Sequence, residues 1–218
     1  MKKIAFLLVI FAASTASAYP QVVNQILKRM DTHQKVLKSL RADLTINKFS
    51  LQFGGTFTKE GALKYLPVKN KPPVLRIDST KPAPESFLIV GNQSVGYLPD
   101  QKTAYIGLAS NDGINLLLLF LSMPGANLKA DYTLRNIGEE KAGGTIPAWH
   151  LELTPKTAGD YKTIELWIDG NGMPVQAKLI ENNGDWTSVL FGNLQKNVVF
   201  NASEFKVNLP KGTKIVKD

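Results

Sequence analysis

The segment 163–191, TIELWIDGNGMPVQAKLIENNGDWTSVLF, decides the fold class of this chain. It holds three runs of alternating apolar and polar residues, separated by the turn signals Gly170-Asn171-Gly172 and Asn182-Asn183-Gly184-Asp185. Short breaks of Gly, Asn and Asp between such runs are typical of β-hairpins. The segment therefore predicts two consecutive hairpins, with strands over 163–169, 175–181 and 186–191.

Strands of the same kind are predicted on both sides of this segment. Apolar residues alternate from Asp43 onward, and the phase of the alternation reverses near Lys48, which indicates a bulge or bend there. Gly54-Gly55 marks the next turn. Further strands are predicted over 56–64, 74–78, 87–90, 94–98, 103–108, 149–153, 198–200 and 205–209. Their spacing of about ten residues is typical of an antiparallel meander.

Two helices are predicted beside these strands. The first covers 20–40, where apolar residues recur every three to four positions after Pro20. The second covers 114–122 and contains a run that is apolar on all sides: Leu116, Leu117, Leu118, Leu119, Phe120 and Leu121. Such a helix has to be buried or has to cover an apolar surface. Between this helix and Tyr132 we expect a long loop.

Together these elements predict a mainly β protein of the α+β class, with about ten antiparallel strands in one curved sheet. A strongly curved sheet with helices covering its opening is a half-open, unclosed antiparallel β-barrel, and it can enclose a cavity. An apolar cavity of this kind suits acyl chains. The alternative that the pattern leaves open is that the same residues simply fill a core.

The first 18 residues have the pattern of a cleavable signal peptide. Met1-Lys2-Lys3 is basic, residues 4–13 form an apolar run, and Ala16-Ser17-Ala18 fits the small-x-small cleavage rule. The apolar run is too short for a membrane helix, which needs about 20 residues. We therefore expect cleavage after Ala18 and a single domain over 19–218. An exported chain without Cys is typical of the bacterial periplasm.

The composition excludes several kinds of site. The chain has no Cys and two His, which argues against thiol chemistry, a lipid anchor on Cys and a His-rich metal centre. No catalytic motif is found. We therefore predict no catalytic residues, no bound metal and no cofactor. His33 and His150 are expected at exposed or rim positions. The stretch 169–172 lacks the terminal acid of a calcium loop and is predicted to be a plain hairpin turn, and Glu139-Glu140 a solvated turn.

The formal charge of the chain is +8. Its Lys and Arg residues are not clustered with aromatic residues, so nucleic acid is not a predicted partner. Attraction to anionic membrane surfaces or to acidic partners fits an exported protein better. A soluble surface that merely has excess lysine is the alternative.

A series of short motifs spans most of the predicted mature chain. They are, in chain order, ILKRM at 26–30, LKSLRADL at 37–44, GAL at 61–63, LRID at 75–78 with Pro82, LIVGNQSVGYLP at 88–99, LTPK at 153–156, IDGNGMPV at 168–175 and FKVNLPKGTKIV at 205–216. In this order they resemble the outer-membrane lipoprotein carrier family, LolA. The chain departs from the family in two places. Leu63-Lys64-Tyr65-Leu66-Pro67 lacks the Arg that commonly precedes Pro and holds the lid helices, and Gly96 replaces the Trp of the central hairpin.

The resemblance implies a LolA-like fold and a periplasmic, monomeric carrier without enzymatic activity. Its cargo would be the acyl chains of lipoproteins or another lipid, taken from an inner-membrane lipoprotein-releasing transporter to an outer-membrane acceptor. A periplasmic sensor of the same fold that acts through a protein partner is the alternative. Residues 116–121 are the predicted lid. The predicted cavity wall comprises Leu44, Ile46, Leu75, Ile77, Leu88, Val90, Trp149, Leu151, Leu166 and Ile168.

Overall fold

Twelve strands and three helices make up the computed structural model, which describes residues 18–108, 112–122 and 124–217. The side chains of residues 18–20, 112–115 and 119 lie outside the description, as does the predicted signal peptide up to residue 17. The helices are α1 (Ala18–Val36), α2 (Asp112–Ser122) and α3 (Gly125–Asp131). The strands are β1 (Leu40–Ser50), β2 (Gly55–Val68), β3 (Lys71–Lys81), β4 (Glu85–Val90), β5 (Gln93–Leu98), β6 (Thr103–Leu108), β7 (Tyr132–Ala142), β8 (Ile146–Pro155), β9 (Tyr161–Asp169), β10 (Pro174–Glu181), β11 (Trp186–Lys196) and β12 (Lys214–Lys217).

All twelve strands belong to one sheet, whose order is β12-β6-β5-β4-β3-β2-β1-β11-β10-β9-β8-β7. Neighbouring strands are antiparallel, except that β12 pairs with β6 in parallel. The sheet is curled and unclosed, with β12 and β7 at its two edges. The predicted half-open antiparallel barrel is therefore confirmed, with more strands than expected and with one parallel pair.

The helices cover the concave face of the curled sheet. Side chains of α1 and α2 share one apolar core with the central strands, and α3 adds Leu128. The apolar face of α1 contributes Val23, Ile26, Leu27 and Met30, at the helical spacing that the sequence shows. None of the helices in the described ranges is long and apolar enough to span a membrane.

The C-terminal segment 197–213 lies on the opposite, convex face and connects β11 at the centre of the sheet to β12 at its edge. It contains a single 3-10 turn, Ala202–Phe205. Glu204 of this turn bonds to Arg41 on β1 and Lys64 on β2, at 2.9 and 3.0 Å. Arg76 on β3 donates to the backbone carbonyls of Glu204 and Lys206. The segment is thus fixed across three strands.

Several predicted boundaries are wrong. α1 ends at Val36, and Leu40 already belongs to β1, where it is fully buried. The irregularity of β1 lies between Arg41 and Asp43 in its pairing with β11, not near Lys48. The apolar residues of 37–46 fit a helical and an extended period equally well, which is why the boundary was misplaced.

The long loop predicted before Tyr132 is instead α3, and the edge strand β7 follows it directly. The sequence does not predict β7, because most of its positions are polar, as they often are in exposed edge strands. The strands predicted over 198–200 and 205–209 are absent. That stretch contains the 3-10 turn and extended chain, and the last strand comes later, at β12.

Candidate functional site

The concave face of the sheet presents a continuous apolar surface. Leu44 on β1 pairs with Phe191 on β11, and Ala177 on β10 pairs with Val189 on one side and Leu166 on the other. Directly paired residues point to the same face. Each of these five side chains is at most 5 % exposed, so the surface is dry where the helices cover it.

Helix α2 lies on this surface. Leu116, Leu117, Phe120 and Leu121 are all buried, and the Phe120 ring lies 5.3 Å from that of Phe191. Leu118 is half-buried against the same core. The apolar run of the sequence thus occupies the position expected of a helix that covers an apolar surface.

The described side chains between the helices and the sheet pack closely. A cavity of about 10 Å³ remains, which is about the size that one water molecule needs. It is lined by apolar side chains from α1, α2, α3, β8 and β9: Met30, Leu116, Phe120, Leu128, Leu153, Ile164 and Leu166. An acyl chain requires several hundred Å³. This conformation is therefore closed, and any long ligand has to displace a covering helix.

A larger, open groove of about 730 Å³ adjoins this cavity at the edge of the sheet. It lies between α1, α3 and β7, and its lining includes Val23, Lys129, Tyr132 and Leu134. Leu134 pairs directly with Leu153 of the cavity wall. A residue that lines the groove and a residue that lines the cavity are thus neighbours on adjacent strands.

The predicted wall residues fall into two groups. Leu44, Leu75, Ile77, Leu151, Leu166 and Ile168 are buried in the core beneath the helices, and Ile46 and Trp149 are half-buried against it. On β4, however, Phe87 pairs with Ile77 and Ile89 with Leu75, so the odd positions face the core. The assignment of Leu88 and Val90 to the inner face is wrong. Four consecutive apolar residues carry no period, so the sequence could not decide between the two phases.

Both histidines are buried, which contradicts the prediction of exposed or rim positions. His33 on α1 is 6 % exposed, and burial lowers its pKa, with a further lowering from Lys196. His150 on β8 is 8 % exposed, and its ring stacks on Trp167 at 4.2 Å. It lies on the polar phase of its strand, as predicted, but that face is covered here.

Two carboxylates flank the His150 ring. Glu140 lies 3.2 Å from Nδ1 and Glu165 lies 3.6 Å from Nε2. Burial lowers the pKa of His150, but the two carboxylates raise it by more, so the pKa lies above its ordinary value. Glu140 also accepts a bond from Trp167 Nε1 at 3.0 Å. The predicted solvated turn at Glu139-Glu140 is therefore wrong, since both residues belong to β7.

Polar groups of the described residues do not converge on the apolar interior. No group of three or more His, Cys, Asp and Glu in that part of the chain is placed to hold a metal ion. At the 169–172 turn, Asp169 Oδ1 accepts bonds from the backbone N–H groups of Asn171 and Met173. This is the arrangement of a plain hairpin turn, as predicted.

Lys64, in the motif where the expected Arg is missing, faces away from the helices. Its Nζ lies 3.0 Å from Glu204 on the convex face. Lys64 therefore holds the C-terminal segment and not the helices. Sequence reasoning also missed the groove, because α3 and β7 were not predicted.

The curled sheet, the apolar interior and the covering helices define a class of binding proteins with an unclosed β-barrel. The model of the family "outer membrane lipoprotein carrier protein LolA" matches residues 58–208. The chain belongs to this family. An outer-membrane lipoprotein carrier protein of Pseudomonas fluorescens is 24 % identical over 221 residues, which cover the whole of both chains.

Solved structures share the fold at low sequence identity. MucB superposes with a TM-score of 0.58 at 16 % identity, over 86 % of this chain and 63 % of MucB. The Pseudomonas aeruginosa MucA/MucB complex gives 0.55 at 16 % identity, over 86 % and 61 %. This chain thus spans about three fifths of those matched chains. The Mycobacterium tuberculosis lipoprotein LppX gives 0.53 at 14 % identity, over 83 % and 98 %.

Proposed function

We propose that this protein is a periplasmic carrier that binds the acyl chains of lipoproteins between α2 and the concave face of the sheet. The observation that carries the proposal is the burial of α2, whose apolar side chains cover an equally apolar sheet surface. Membership of the lipoprotein carrier family supports this choice of cargo. Family membership also supports the proposal that an inner-membrane transporter donates the cargo and that an outer-membrane acceptor receives it.

Loading has to open the closed interior. Exposing Leu116, Leu117, Phe120 and Leu121 costs roughly 1.5–3 kcal/mol for each side chain. Burying an acyl chain gains ~0.8 kcal/mol per methylene, so a chain of roughly 16 carbons gains up to about 12 kcal/mol. The two quantities are similar in size. Binding is then close to balanced, as a carrier that must release its cargo requires.

An acyl-chain fluorophore tests this binding. The purified protein should bind it at one or a few sites, and lipoprotein or phospholipid should displace it. Mass spectrometry of an organic extract of the protein should then identify the native cargo. Absence of binding at saturating concentrations of the fluorophore would contradict the carrier proposal.

The role of α2 is tested with Leu118, which is half-buried and contributes less to the core than its neighbours. Leu118→Ser should weaken acyl binding by about tenfold or more, equivalent to about 1.4 kcal/mol, with a small change in thermal stability. The control is Leu88→Ala, a buried residue of β4 that faces away from the helices and the proposed binding surface. It should cost about 2–5 kcal/mol of stability and leave the affinity of the folded protein unchanged. Loss of folding in Leu118→Ser without a separate binding defect would make α2 ordinary core.

The intact mass of the protein purified from the periplasm tests export. It should correspond to a chain that begins at Tyr19. A membrane-retained chain that begins at Met1 would contradict it. The basis is the Ala16-Ser17-Ala18 motif after the apolar run.

A second candidate function is regulation through a protein partner. The observation that favours it is the shared fold with MucB, which has been solved in complex with MucA. Pull-down with periplasmic domains of membrane proteins, with and without saturating acyl ligand, separates the two functions. A carrier exchanges acyl ligand irrespective of such a domain, whereas a sensor binds the domain with an affinity that the ligand changes.

A further inference from the structure

The turn that joins β1 to β2 and the first residues of β2 together expose three large apolar side chains within seven residues. Leu51 is 58 % exposed, Phe53 is 72 % exposed and Phe57 is 61 % exposed. The rings of Phe53 and Phe57 meet edge to face, with centroids 6.5 Å apart. Exposed apolar residues that occur singly are normal on protein surfaces, but a contiguous group marks an interaction site.

Leu51 lies beside the neighbouring turn between β10 and β11, since a Cβ on Gly184 there would come within 2.7 Å of the Leu51 side chain, but the end of the β1–β2 turn is exposed. A Cβ placed on Gly54, at its apex, would meet no atom within 4 Å. The base of the turn is fixed, since the Leu51 N–H donates to the Asp185 carboxylate at 2.8 Å. The result is a narrow, convex projection with an apolar end and a rigid base.

The surroundings of the projection combine aromatic rings and lysines. Phe49 stacks on Trp186 at 5.8 Å, and the Lys178 ammonium lies 5.2 Å from the Trp186 ring. Lys48 is exposed on β1. Asp185 and Glu181 are the acids at the neighbouring turn between β10 and β11, and the Asp185 carboxylate already accepts the Leu51 N–H. Aromatic and aliphatic side chains bordered by lysine are typical of segments that lie in the interface of a lipid bilayer.

We propose that the β1–β2 turn is a membrane-docking element that inserts Leu51 and Phe53 into the interface of an anionic phospholipid bilayer. A convex end of a few side chains is too small for a specific protein interface, which buries about 800 Å² per partner. A bilayer imposes no such requirement, because it deforms around a small projection. The net charge is +8 for the full chain and +6 without Lys2 and Lys3 of the predicted signal peptide, and it attracts the protein to an anionic surface from a distance. The apolar turn then fixes which side of the molecule meets the lipid.

This docking is separate from the binding of acyl chains beneath α2, and it holds whatever the cargo is. Co-sedimentation of the purified protein with phosphatidylglycerol-containing vesicles measures it. Leu51→Ser/Phe53→Ser should lower the vesicle partition coefficient by about tenfold or more, because two exposed apolar side chains no longer enter the interface. Vesicles of phosphatidylcholine alone and high salt should weaken the binding of the unaltered protein.

Two control variants separate docking from other effects. Leu108→Ser removes an apolar side chain that is 74 % exposed elsewhere on the sheet, and it should leave vesicle binding unchanged. Leu118→Ser changes the proposed lid and should also leave vesicle binding unchanged while it weakens acyl binding. Equal loss of vesicle binding in Leu118→Ser would mean that the vesicles only supply lipid to the interior, and the docking proposal would be overturned.

Because the chain has no Cys, one introduced thiol gives a unique label. A polarity-sensitive fluorophore on Gln52→Cys should shift to the blue with anionic vesicles, and the same fluorophore on Asn92→Cys, in the turn between β4 and β5, should not. Equal shifts at both positions, or unchanged sedimentation of Leu51→Ser/Phe53→Ser, would overturn the proposal. Analytical ultracentrifugation without lipid provides a further test. A dimer of the unaltered protein that Leu51→Ser/Phe53→Ser abolishes would also overturn the proposal, since the turn would then bind a second copy of the chain.

Discussion

At the scale of single residues, His150 shows how a buried ionisable group responds to its neighbours. The side chain lies on the convex face of β8, between Glu140 on β7 and Glu165 on β9, with Trp167 against its ring. Lys178 on β10 and Glu152 on β8 both lie beside Glu165 on that face, and Glu152 binds Arg135. His150 also lowers the pKa values of both carboxylates, so they are ionised when the imidazole is protonated. The folded protein therefore holds the proton of His150 more tightly than the unfolded chain does.

We expect the stabilising effect of His150 to decrease as the pH rises. Its pKa is raised in the folded state, so the contribution is complete below the unfolded pKa of about 6.5 and is lost as the pH rises through the folded value. Chemical unfolding of the wild type and of His150→Gln at pH 5.5, 7 and 8.5 should give a difference in unfolding free energy that shrinks with pH.

His33 provides a comparison of opposite sign. Burial lowers its pKa, so the folded state favours the neutral ring, and stability is lost as the pH falls below about 6.5. The difference between the wild type and His33→Gln should therefore grow with pH over the same series. Parallel pH dependences for the two variants would contradict the assigned environments.

At the scale of elements, α1 is seated on the turn between β9 and β10. Gly172 in that turn has a φ of +84°, and a Cβ there would lie 2.3 Å from the backbone carbonyl of Arg29. Arg29 in turn donates to the Gly170 carbonyl at 3.3 Å. The approach of backbone to backbone requires glycine, and it sets the height of α1 above the sheet.

The variants Gly172→Ala and Gly144→Ala separate this approach from backbone strain. Gly144 has a φ of +76° with open space around its Cβ position, so Ala there costs only the left-handed backbone, about 1–2 kcal/mol. Gly172→Ala also has to displace α1 and should cost roughly 3–5 kcal/mol in total. Urea unfolding measures both. Equal losses would mean that α1 does not need this contact.

The elements that the sequence predicts well are those with a clear period and turn signals. The two hairpins of 163–191 form as predicted, since Asp169 and the Asn-Gly turns fix their ends. The phase of β4 could not be predicted, because Phe87 to Val90 are all apolar and the choice depends on pairing with β3. The burial of His150 depends on β7, a polar edge strand with no period of its own. The parts of the site that the sequence does not predict are thus those that depend on which strands pair, and not on the local pattern.

At the scale of the whole molecule, the C-terminal segment links the centre of the sheet to its edge. Arg76 is the main fixed point. It forms two bonds to the Asp78 carboxylate at 2.7 and 2.8 Å, and its Nη1 donates to the carbonyls of Glu204 and Lys206 at 3.1 and 2.5 Å. Its side chain is 18 % exposed, so these bonds are largely shielded from water. β12 reaches β6 only through this segment.

We therefore expect Arg76→Met to loosen the edge of the sheet as well as lower global stability. The change removes several charge-assisted bonds and leaves Asp78 without its cation, at a cost of roughly 2–4 kcal/mol. The matched control is Arg135→Met. Arg135 also binds a carboxylate with two bonds, on Glu152, but it is 66 % exposed, so its replacement should change the stability little.

Hydrogen exchange distinguishes local from global loosening. The amides of Lys214–Lys217 should exchange faster than those of β1 in Arg76→Met, because β12 can detach while the centre of the sheet stays paired. If all strands accelerate equally, Arg76 supports the core as a whole, and the segment is not an independent link between the convex face and the edge.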